Sequence, residues 1–209
     1  MAIAPPIRKY PAPPERRLWN RDEFARAEES GVFQPDERLE LIEGDIIAKE
    51  LPLRPPHANA MARTFNCLRA AFSQDFAVRN QCPLALGRLS EPMPDLAVVP
   101  GLDDDYSDDH PETAALIVEV AESSLRLDRN EKASLYARAG VTDYWILNLI
   151  DRTLEVHRKP TPDRAGKYGY RYSDVFSLSE LESIAPLASS GVNILVADLL
   201  PRKHPDAGS

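Results

Sequence analysis

The stretch that decides the fold is Leu116-Ile117-Val118-Glu119-Val120-Ala121, a short apolar run that contains one carboxylate. A second run, Met93-Pro94-Asp95-Leu96-Ala97-Val98-Val99, has the same character and carries one aspartate. Both runs are rich in β-branched residues and bounded by proline, glycine or polar clusters, which predicts two buried strands. A carboxylate in a buried strand is costly unless a cation or hydrogen-bond donors compensate it. Two such carboxylates suggest a shared cation.

The helix after the second carboxylate offers an ammonium group. We predict a helix from Asp128 to Ala139, ended by Gly140, in which Asp128, Lys132 and Tyr136 follow one another at four-residue spacing and share a face. If that face looks toward Glu119, Lys132 reaches the space beside the two carboxylates and Asp128 orients it. The alternatives are structural: a surface Asp/Lys pair, an Asp95 that simply starts a strand, and a Glu119 exposed on an edge strand.

Composition favours one compact domain. The chain has 209 residues, 43% of them hydrophobic, and two cysteines, which are too few for a disulfide framework. We expect a proline-rich flexible arm over residues 1–19, a single domain over 20–200 and a flexible tail over 201–209. Without a membrane-length apolar segment or a signal-peptide core, the chain is predicted to be cytoplasmic.

The net charge of −8 argues against a protein that coats nucleic acid through bulk electrostatics. Between Arg88 and Arg126 the sequence has no Lys or Arg but ten acidic residues, which we expect to concentrate around the metal site. The basic residues that follow are candidates for a groove beside that site, and an ordinary solvated surface is the alternative. They are Arg126, Arg129, Lys132, Arg138, Arg152, Arg158, Lys159, Arg164, Lys167 and Arg171.

The remaining pattern predicts a mixed sheet flanked by helices, an α/β (α+β) fold. Helices are expected at 21–30, where Asn20 and Glu23 form a capping box, and from His57 to about Phe72. A hairpin should turn at Glu43-Gly44 between strands 38–42 and 45–48. The other predicted strands are 76–80, 84–86, 95–99, 116–120, 143–147, 153–157, 168–172 and 175–178, with a mobile acidic loop over 101–113.

Pro94-Asp95 and Glu119-Val120-Ala121 resemble the motif of the PD-(D/E)XK nucleases, which have the restriction-endonuclease-like fold. The resemblance implies that Asp95 and Glu119 hold a divalent metal. The chain departs from the pattern at Ala121, where that superfamily places a strand lysine. Lys132 on the following helix is similar to the relocated equivalent found in some of its members.

Within that superfamily the chain is similar to the bacterial Uma-type (Uma-two) family of restriction endonucleases. The resemblance covers roughly residues 36 to 200 and is most specific from Val118 to Leu147, where Asp128, Lys132 and Tyr136 keep the family's order and spacing. It also draws in two residues further upstream. Glu40 is implied to lie beside the metal site, although alternation with Leu39 and Leu41 alone favours a solvent-facing residue. His57 matches a histidine often found at the start of this helix and is expected to support the site, with a helix cap as the alternative.

The resemblance implies a metal-dependent endonuclease that hydrolyses phosphodiester bonds of DNA. Because a hard cation prefers oxygen ligands, the metal is expected to be Mg²⁺ or Mn²⁺, held by Asp95, Glu119, the Val120 carbonyl and Glu40, with Lys132 as the catalytic lysine. No membrane partner is expected. A homodimer is possible in this superfamily, and Tyr144 and Trp145 would either support its interface or belong to the core. Two other functions stay open: a nucleic-acid-binding or regulatory module with little turnover, and a hydrolase of smaller phosphoesters.

Overall fold

A mixed β-sheet forms the centre of the molecule. The computed structural model describes residues 16–49 and 54–203. The sheet consists of β3 (Phe76–Asn80), β4 (Leu96–Pro100), β5 (Leu116–Ala121), β6 (Asp143–Asn148), β7 (Thr153–Pro162) and β8 (Tyr170–Ser179), in that spatial order. Neighbouring strands are antiparallel except for β5 and β6, which are parallel. The predicted mixed sheet and α+β class are confirmed.

The parallel pair requires a crossover, and a helical segment supplies it. This segment consists of α3 (Leu125–Leu127), a π-helical turn (Asp128–Lys132) and α4 (Ala133–Arg138). It ends before Gly140, whose φ of +79° matches the predicted C-terminal glycine. The predicted start at Asp128 was three residues late. The π turn was not predicted, because four-residue spacing assumes regular α-helix throughout.

Helices cover both faces of the sheet, and the two faces follow from strand alternation. On one face, α2 (Pro55–Ala71) and α5 (Val196–Leu199) pack with Val118, Val120 and Trp145. On the other face, α4 packs with Ile117, Ala121 and Tyr144. Tyr144 and Trp145 are fully buried in this core, so they are not available for a symmetric interface. The homodimer stays a prediction without their support.

A hairpin and a short helix pack beside the sheet. Helix α1 (Arg21–Glu29) has the predicted capping box of Asn20 and Glu23. Strands β1 (Leu39–Ile42) and β2 (Asp45–Ala48) pair in antiparallel fashion around the predicted turn. Gly44 has a φ of +81°, and a Cβ there would lie 2.5 Å from Leu18 Cβ, so the turn requires glycine. The Trp19 N–H donates to the Gly44 carbonyl at 3.0 Å.

Several predicted elements differ from the structure. Residues 84–86 are buried but do not form a strand, and the predicted strands 168–172 and 175–178 are one strand, β8. The acidic loop contains a 3₁₀ turn at Asp103–Tyr106. Three short elements were not predicted: β9 (Ser183–Ile184), β10 (Ile194–Leu195) and α5. They are too short for periodicity to reveal.

Some expectations fall on residues that the structure does not describe. These are residues 1–15 of the predicted arm, residues 50–53 and residues 204–209 of the predicted tail. Over the two described ranges, no helix has both the length and the apolar character needed to cross a bilayer. Cys67 and Cys82 are free and half-buried.

Candidate active site

The site is built where β4 begins beside β5. Asp95 immediately precedes β4, and the antiparallel pairing of Leu96 with Val118 places Asp95 beside Glu119. The Val120 N–H donates to Asp95 Oδ2 at 2.9 Å, and the Asp95 N–H lies 3.4 Å from Glu119 Oε2. Both side chains are buried. Strand β5 is central in the sheet, so the alternative of an exposed Glu119 on an edge strand is wrong.

The crossover helix brings Lys132 and Tyr136 to the carboxylate of Glu119. Alternation along β5 points Glu119 to the face covered by α4. There Lys132 Nζ donates to Glu119 Oε1 at 3.0 Å, and the Tyr136 hydroxyl donates to the same oxygen at 2.8 Å. Lys132 is only 1% exposed. It therefore belongs to the buried site and not to a surface Asp/Lys pair.

Glu40 of β1 joins this cluster from the hairpin. Its side chain is 0% exposed, so the alternative of a solvent-facing strand residue is wrong. Glu40 Oε2 accepts a hydrogen bond from the Met93 N–H at 3.1 Å. Glu40 Oε1 lies 3.2 Å from Lys132 Nζ but makes no hydrogen bond of acceptable geometry. The hairpin thus adds a third buried carboxylate, held against the ammonium of Lys132.

Asp95 is surrounded by donors that sequence reasoning only partly found. His57 Nε2 lies 3.5 Å from Asp95 Oδ2, which places His57 beside the site as expected. Lys49 Nζ lies 3.3 Å from Asp95 Oδ1, and Gln81 Nε2 lies 3.5 Å from the same oxygen. Lys49 and Gln81 were not predicted. Each directly follows a strand, β2 or β3, and this position at the strand end was the available signal.

Asp128 lines the same cavity, but its hydrogen bonds go to residues other than Lys132. Its Oδ2 accepts a hydrogen bond from Ser124 Oγ at 2.5 Å, and its backbone carbonyl accepts one from the Tyr144 hydroxyl at 3.1 Å. No hydrogen bond or ion pair joins Asp128 to Lys132 among the contacts of the described chain. Asp128 still acts on Lys132 through its charge, which helps to raise the lysine pKa. That Asp128 orients Lys132 stays a prediction.

The carboxylates of the site do not share one direction of pKa shift: the pKa values of Glu119 and Asp128 are raised, whereas that of Asp95 is lowered. Burial raises the pKa of Glu119, as do Asp95 and Glu40, and Lys132 only partly offsets this. Burial raises the pKa of Asp128 to about 7, with a further contribution from Glu119. For Asp95, burial opposes ionisation, but the adjacent His57 imidazole and the charges of Lys49 and Lys132 together hold its pKa below the usual range. Asp95 is therefore the firmly ionised carboxylate.

Lys132 stays an ammonium ion in this environment. Burial alone would lower its pKa, but the surrounding carboxylates, Glu119 and Glu40 first, hold it well above the ordinary value. A lysine with a raised pKa is already protonated at neutral pH, so it cannot act as a general base. It can donate hydrogen bonds and stabilise negative charge.

A cavity of about 540 Å³ opens onto these groups. Its walls contain all the acidic residues of the cluster together with Lys49, Lys132 and His57, and its rim adds Arg38 and Arg54. Most of the basic residues predicted to form a groove lie elsewhere, bound in ion pairs of their own. Those pairs are Arg129–Glu155, Arg138–Glu43, Arg152–Glu180, Arg158–Asp143, Lys159–Asp174, Lys167–Glu131 and Arg171–Asp163.

The acidic loop also lies away from the site. Asp95 stands before the first residue of β4, whereas the aspartates of the loop follow its last residue, Pro100. Five residues of strand separate the two ends by roughly 16 Å. The prediction that these acidic residues concentrate around the site is therefore wrong for the loop. The negative charge of the pocket comes from five carboxylates outside the loop: Glu40, Asp95, Glu119, Glu122 and Asp128.

The donor set suits a hard cation, although no metal cage is ready formed. Asp95 and Glu119 offer carboxylate oxygens on adjacent strands, and Mg²⁺ commonly uses one or two carboxylates together with water. In the described ranges, the hydrogen-bond contact of Glu119 Oε2 is the long one from the Asp95 N–H. Among the described residues, however, no three His, Cys, Asp or Glu side chains are arranged to hold a metal ion. The residues fit a cation bound partly by water.

The fold and the site have one arrangement in common with the nuclease motif predicted from the sequence. Two adjacent strands of a mixed sheet and a crossover helix bring two carboxylates and one lysine into a buried pocket. A family model described as "Putative restriction endonuclease", Uma2, matches residues 21–197. The chain belongs to the Uma2 family. The resemblance inferred from the sequence is confirmed, and the matched region includes every site residue.

A solved structure has a similar fold. It is described as a "putative nuclease belonging to DUF820 from Anabaena variabilis ATCC 29413" and superposes with a TM-score of 0.64 at 15% sequence identity. The match covers 85% of this chain and 95% of that chain. At this identity the likeness establishes the fold alone. No match was found among curated proteins.

Proposed function

We propose that this protein is a metal-dependent endonuclease that hydrolyses phosphodiester bonds of DNA. One observation carries the proposal: Asp95, Glu119 and Lys132, which are far apart in sequence, converge within one cavity that opens to solvent. The description of the Uma2 family and that of the solved structure support a nuclease. The metal dependence, the choice of DNA and the residue roles are our own inference.

Asp95 and Glu119 would hold Mg²⁺ or Mn²⁺ with their carboxylates, and the Val120 carbonyl would complete part of the coordination. When bound, such an ion polarises a phosphate and lowers the pKa of a coordinated water. Glu40 is a further candidate ligand. Its present contacts with Lys132 and the Met93 N–H favour a second role, in which it keeps the ammonium in place.

The protein's own groups would act on charge and orientation. Lys132 remains an ammonium ion, so it would stabilise charge that develops on the phosphate and donate a hydrogen bond to the attacking water. Tyr136 fixes the Glu119 carboxylate through its hydroxyl. Asp95, fixed by the Val120 N–H, supplies a carboxylate that stays ionised. Arg38 and Arg54 at the rim would contact phosphates of the substrate.

A second candidate is a nucleic-acid-binding or regulatory module that keeps the nuclease fold with little turnover. The observation that favours it is that two ammonium groups already neutralise the carboxylates, Lys49 at Asp95 and Lys132 at Glu119. A site stabilised in this way is complete as a structural ion-pair network. The two candidates differ in one measurable respect, which is metal-dependent bond cleavage.

The test is cleavage of supercoiled plasmid and of single-stranded DNA with Mg²⁺ or Mn²⁺. The wild type is compared with Asp95→Ala and Lys132→Ala, and with two exposed controls, Asp198→Ala and Lys203→Ala. Circular dichroism checks that each variant is folded. We expect metal-dependent nicking that falls by roughly 10²- to 10³-fold in both site variants and is unchanged in the controls.

Three other results would each change the assignment. Cleavage that survives both site variants would place the activity elsewhere. Binding of DNA without cleavage by any form would favour the binding module. Hydrolysis of a chromogenic phosphodiester without cleavage of DNA would indicate a hydrolase of smaller phosphoesters, a function that needs no extended basic surface.

A further inference from the structure

Lys49 is a cation beside Asp95 that has no role in the proposed mechanism. It directly follows β2, and its side chain is 19% exposed at the wall of the cavity. Its ammonium lies 2.7 Å from the Met93 carbonyl and 3.3 Å from Asp95 Oδ1. A divalent ion held by Asp95 would face this positive charge at close range.

The two lysines of the site differ in how firmly they are held. Lys132 is 1% exposed and lies between two buried carboxylates, so moving it would leave an ammonium and two carboxylates uncompensated. Lys49 makes its shorter contact with a neutral carbonyl, and its longer contact with Asp95 can be exchanged for water because the side chain reaches solvent. Of the two ammonium groups, Lys49 is the one that can leave.

The two carboxylate oxygens of Asp95 have different kinds of neighbours. Asp95 Oδ2 already accepts from the Val120 N–H at 2.9 Å, a backbone contact that is fixed by the pairing of β4 with β5. Among the described residues, the hydrogen-bond contacts of Asp95 Oδ1 come from side chains, Lys49 at 3.3 Å and Gln81 at 3.5 Å. Release of Lys49 would free a carboxylate oxygen of Asp95 without disturbing the sheet.

We propose that Lys49 is the built-in counter-ion of Asp95, which occupies the cation position in the metal-free protein and is displaced when a divalent ion binds. This inference rests on the metal site of the proposed function. Lys49 then sets the metal affinity: it stabilises the metal-free pocket and opposes binding. It is a positioning residue that competes with the metal, and its task differs from that of the fixed Lys132.

The test is the dissociation constant of Mn²⁺ for the full chain, measured by calorimetry and by electron paramagnetic resonance of free Mn²⁺. Lys49→Gln removes the charge at Asp95, and Lys203→Gln removes the same charge from an exposed surface ion pair. We expect Lys49→Gln to bind Mn²⁺ on the order of ten-fold more tightly, since one unit charge at this distance is removed. Lys203→Gln should bind as the wild type does.

A second readout follows the displaced ammonium itself. Acetylation of the wild type with limiting acetic anhydride, quantified by mass spectrometry, should modify Lys49 faster when Mg²⁺ is present, whereas the rate at Lys203 should not change. An equal or weaker Mn²⁺ affinity in Lys49→Gln, or a Lys49 reactivity that ignores the metal, would overturn the inference and leave the nuclease proposal standing. No Mn²⁺ binding by any form would overturn both the inference and the metal site.

Discussion

Two buried ionic clusters lie on neighbouring strands: the cluster around Asp143 on β6, and the pocket with Glu119 on β5. They differ in how completely their carboxylate oxygens are hydrogen-bonded. Asp143 at the start of β6 is 0% exposed and is fully paired: it accepts from Trp145 Nε1 at 2.8 Å, from the Arg158 guanidinium at 2.8 and 3.2 Å, and from the Leu187 N–H at 2.9 Å. In the pocket, over the part of the chain that the structure describes, Glu40 Oε1 makes no hydrogen bond and Glu119 Oε2 has one long contact.

The difference separates a structural carboxylate from a functional one. Buried polar groups are normally paired, so each exception needs an explanation. Both carboxylate oxygens of Asp143 accept hydrogen bonds, and Asp143 does not line the cavity that holds Asp95 and Glu119. The pocket has five acidic residues against two lysines and two arginines, and it opens to solvent. Part of its acceptor capacity is not used, because Glu40 Oε1 and Glu119 Oε2 lack a close donor among the described residues. Unused acceptors beside a cavity are what a ligand cation requires.

The largest expected effect is on the structural cluster. Asp143→Ala leaves the Arg158 guanidinium, the Trp145 N–H and the Leu187 N–H without their acceptor. We expect a loss of about 3 to 5 kcal/mol in the free energy of unfolding, measured by urea denaturation. The control is Asp174→Ala, which removes the carboxylate of an exposed ion pair with Lys159. It should lower the free energy of unfolding by less than about 1 kcal/mol. A small effect of Asp143→Ala on the free energy of unfolding would contradict the structural role that we assign to Asp143.

The next effect concerns a buried group that is unsatisfied but outside the cavity. His157 contacts the rings of Tyr144 and Tyr172, and its Nε2 has no hydrogen-bond partner within residues 16–49 and 54–203. Burial lowers its pKa to about 4. The unfolded chain, with an ordinary pKa near 6.5, takes up the proton first. Stability is therefore present above about pH 6.5 and is lost as the pH falls toward 4, by up to about 3 kcal/mol.

Urea unfolding at several pH values checks this, with His157→Phe as the matched variant. Phenylalanine keeps a ring against both tyrosines but cannot take up a proton, so its stability should fall less between pH 6.5 and 4. Parallel curves for the two proteins would show that other groups cause the acid loss.

Sequence reasoning found the residues of the pocket better than it found their surroundings. Glu119, Lys132 and Tyr136 were predictable because an apolar run with one carboxylate and a helix with four-residue spacing are local patterns. Lys49 and Gln81 were missed because their contacts with Asp95 join residues 46 and 14 positions apart across separate strands. The structural cluster was missed for the same reason: Leu187 lies 44 positions from Asp143. Local patterns do not contain such contacts.

A third effect is stabilisation by metal. An ion that binds the folded chain alone stabilises it by mass action, by about 1.4 kcal/mol at a ten-fold excess over the dissociation constant. For a chain of this size we expect the melting temperature to rise by roughly 3 to 6 °C with millimolar Mg²⁺ or Mn²⁺, measured by scanning calorimetry. Asp95→Asn should abolish the rise, whereas Asp198→Asn should keep it. An unchanged melting temperature in the wild type would count against the metal site.

The smallest effect on stability is expected at the most important carboxylate. In Glu119→Gln, the amide oxygen can still accept from Lys132 and Tyr136, while the unfavourable burial of a charge disappears. The amide nitrogen would then face the Asp95 N–H, a weak loss because that contact is already 3.4 Å long. We expect the free energy of unfolding, from urea denaturation without metal, to change by less than about 1 kcal/mol.

Cleavage, by contrast, should fall by at least about 10²-fold in the same variant, because an amide does not replace a carboxylate toward a divalent cation. Glu119→Gln is thus expected to keep its stability and lose its activity. Asp143→Ala should show the opposite: it loses stability, but its folded fraction should cleave at the wild-type rate. If Glu119→Gln instead lost several kcal/mol, the pocket would be a structural ion-pair network like the one at Asp143. That result would favour the binding module, because natural sites accept unsatisfied charge where function requires it.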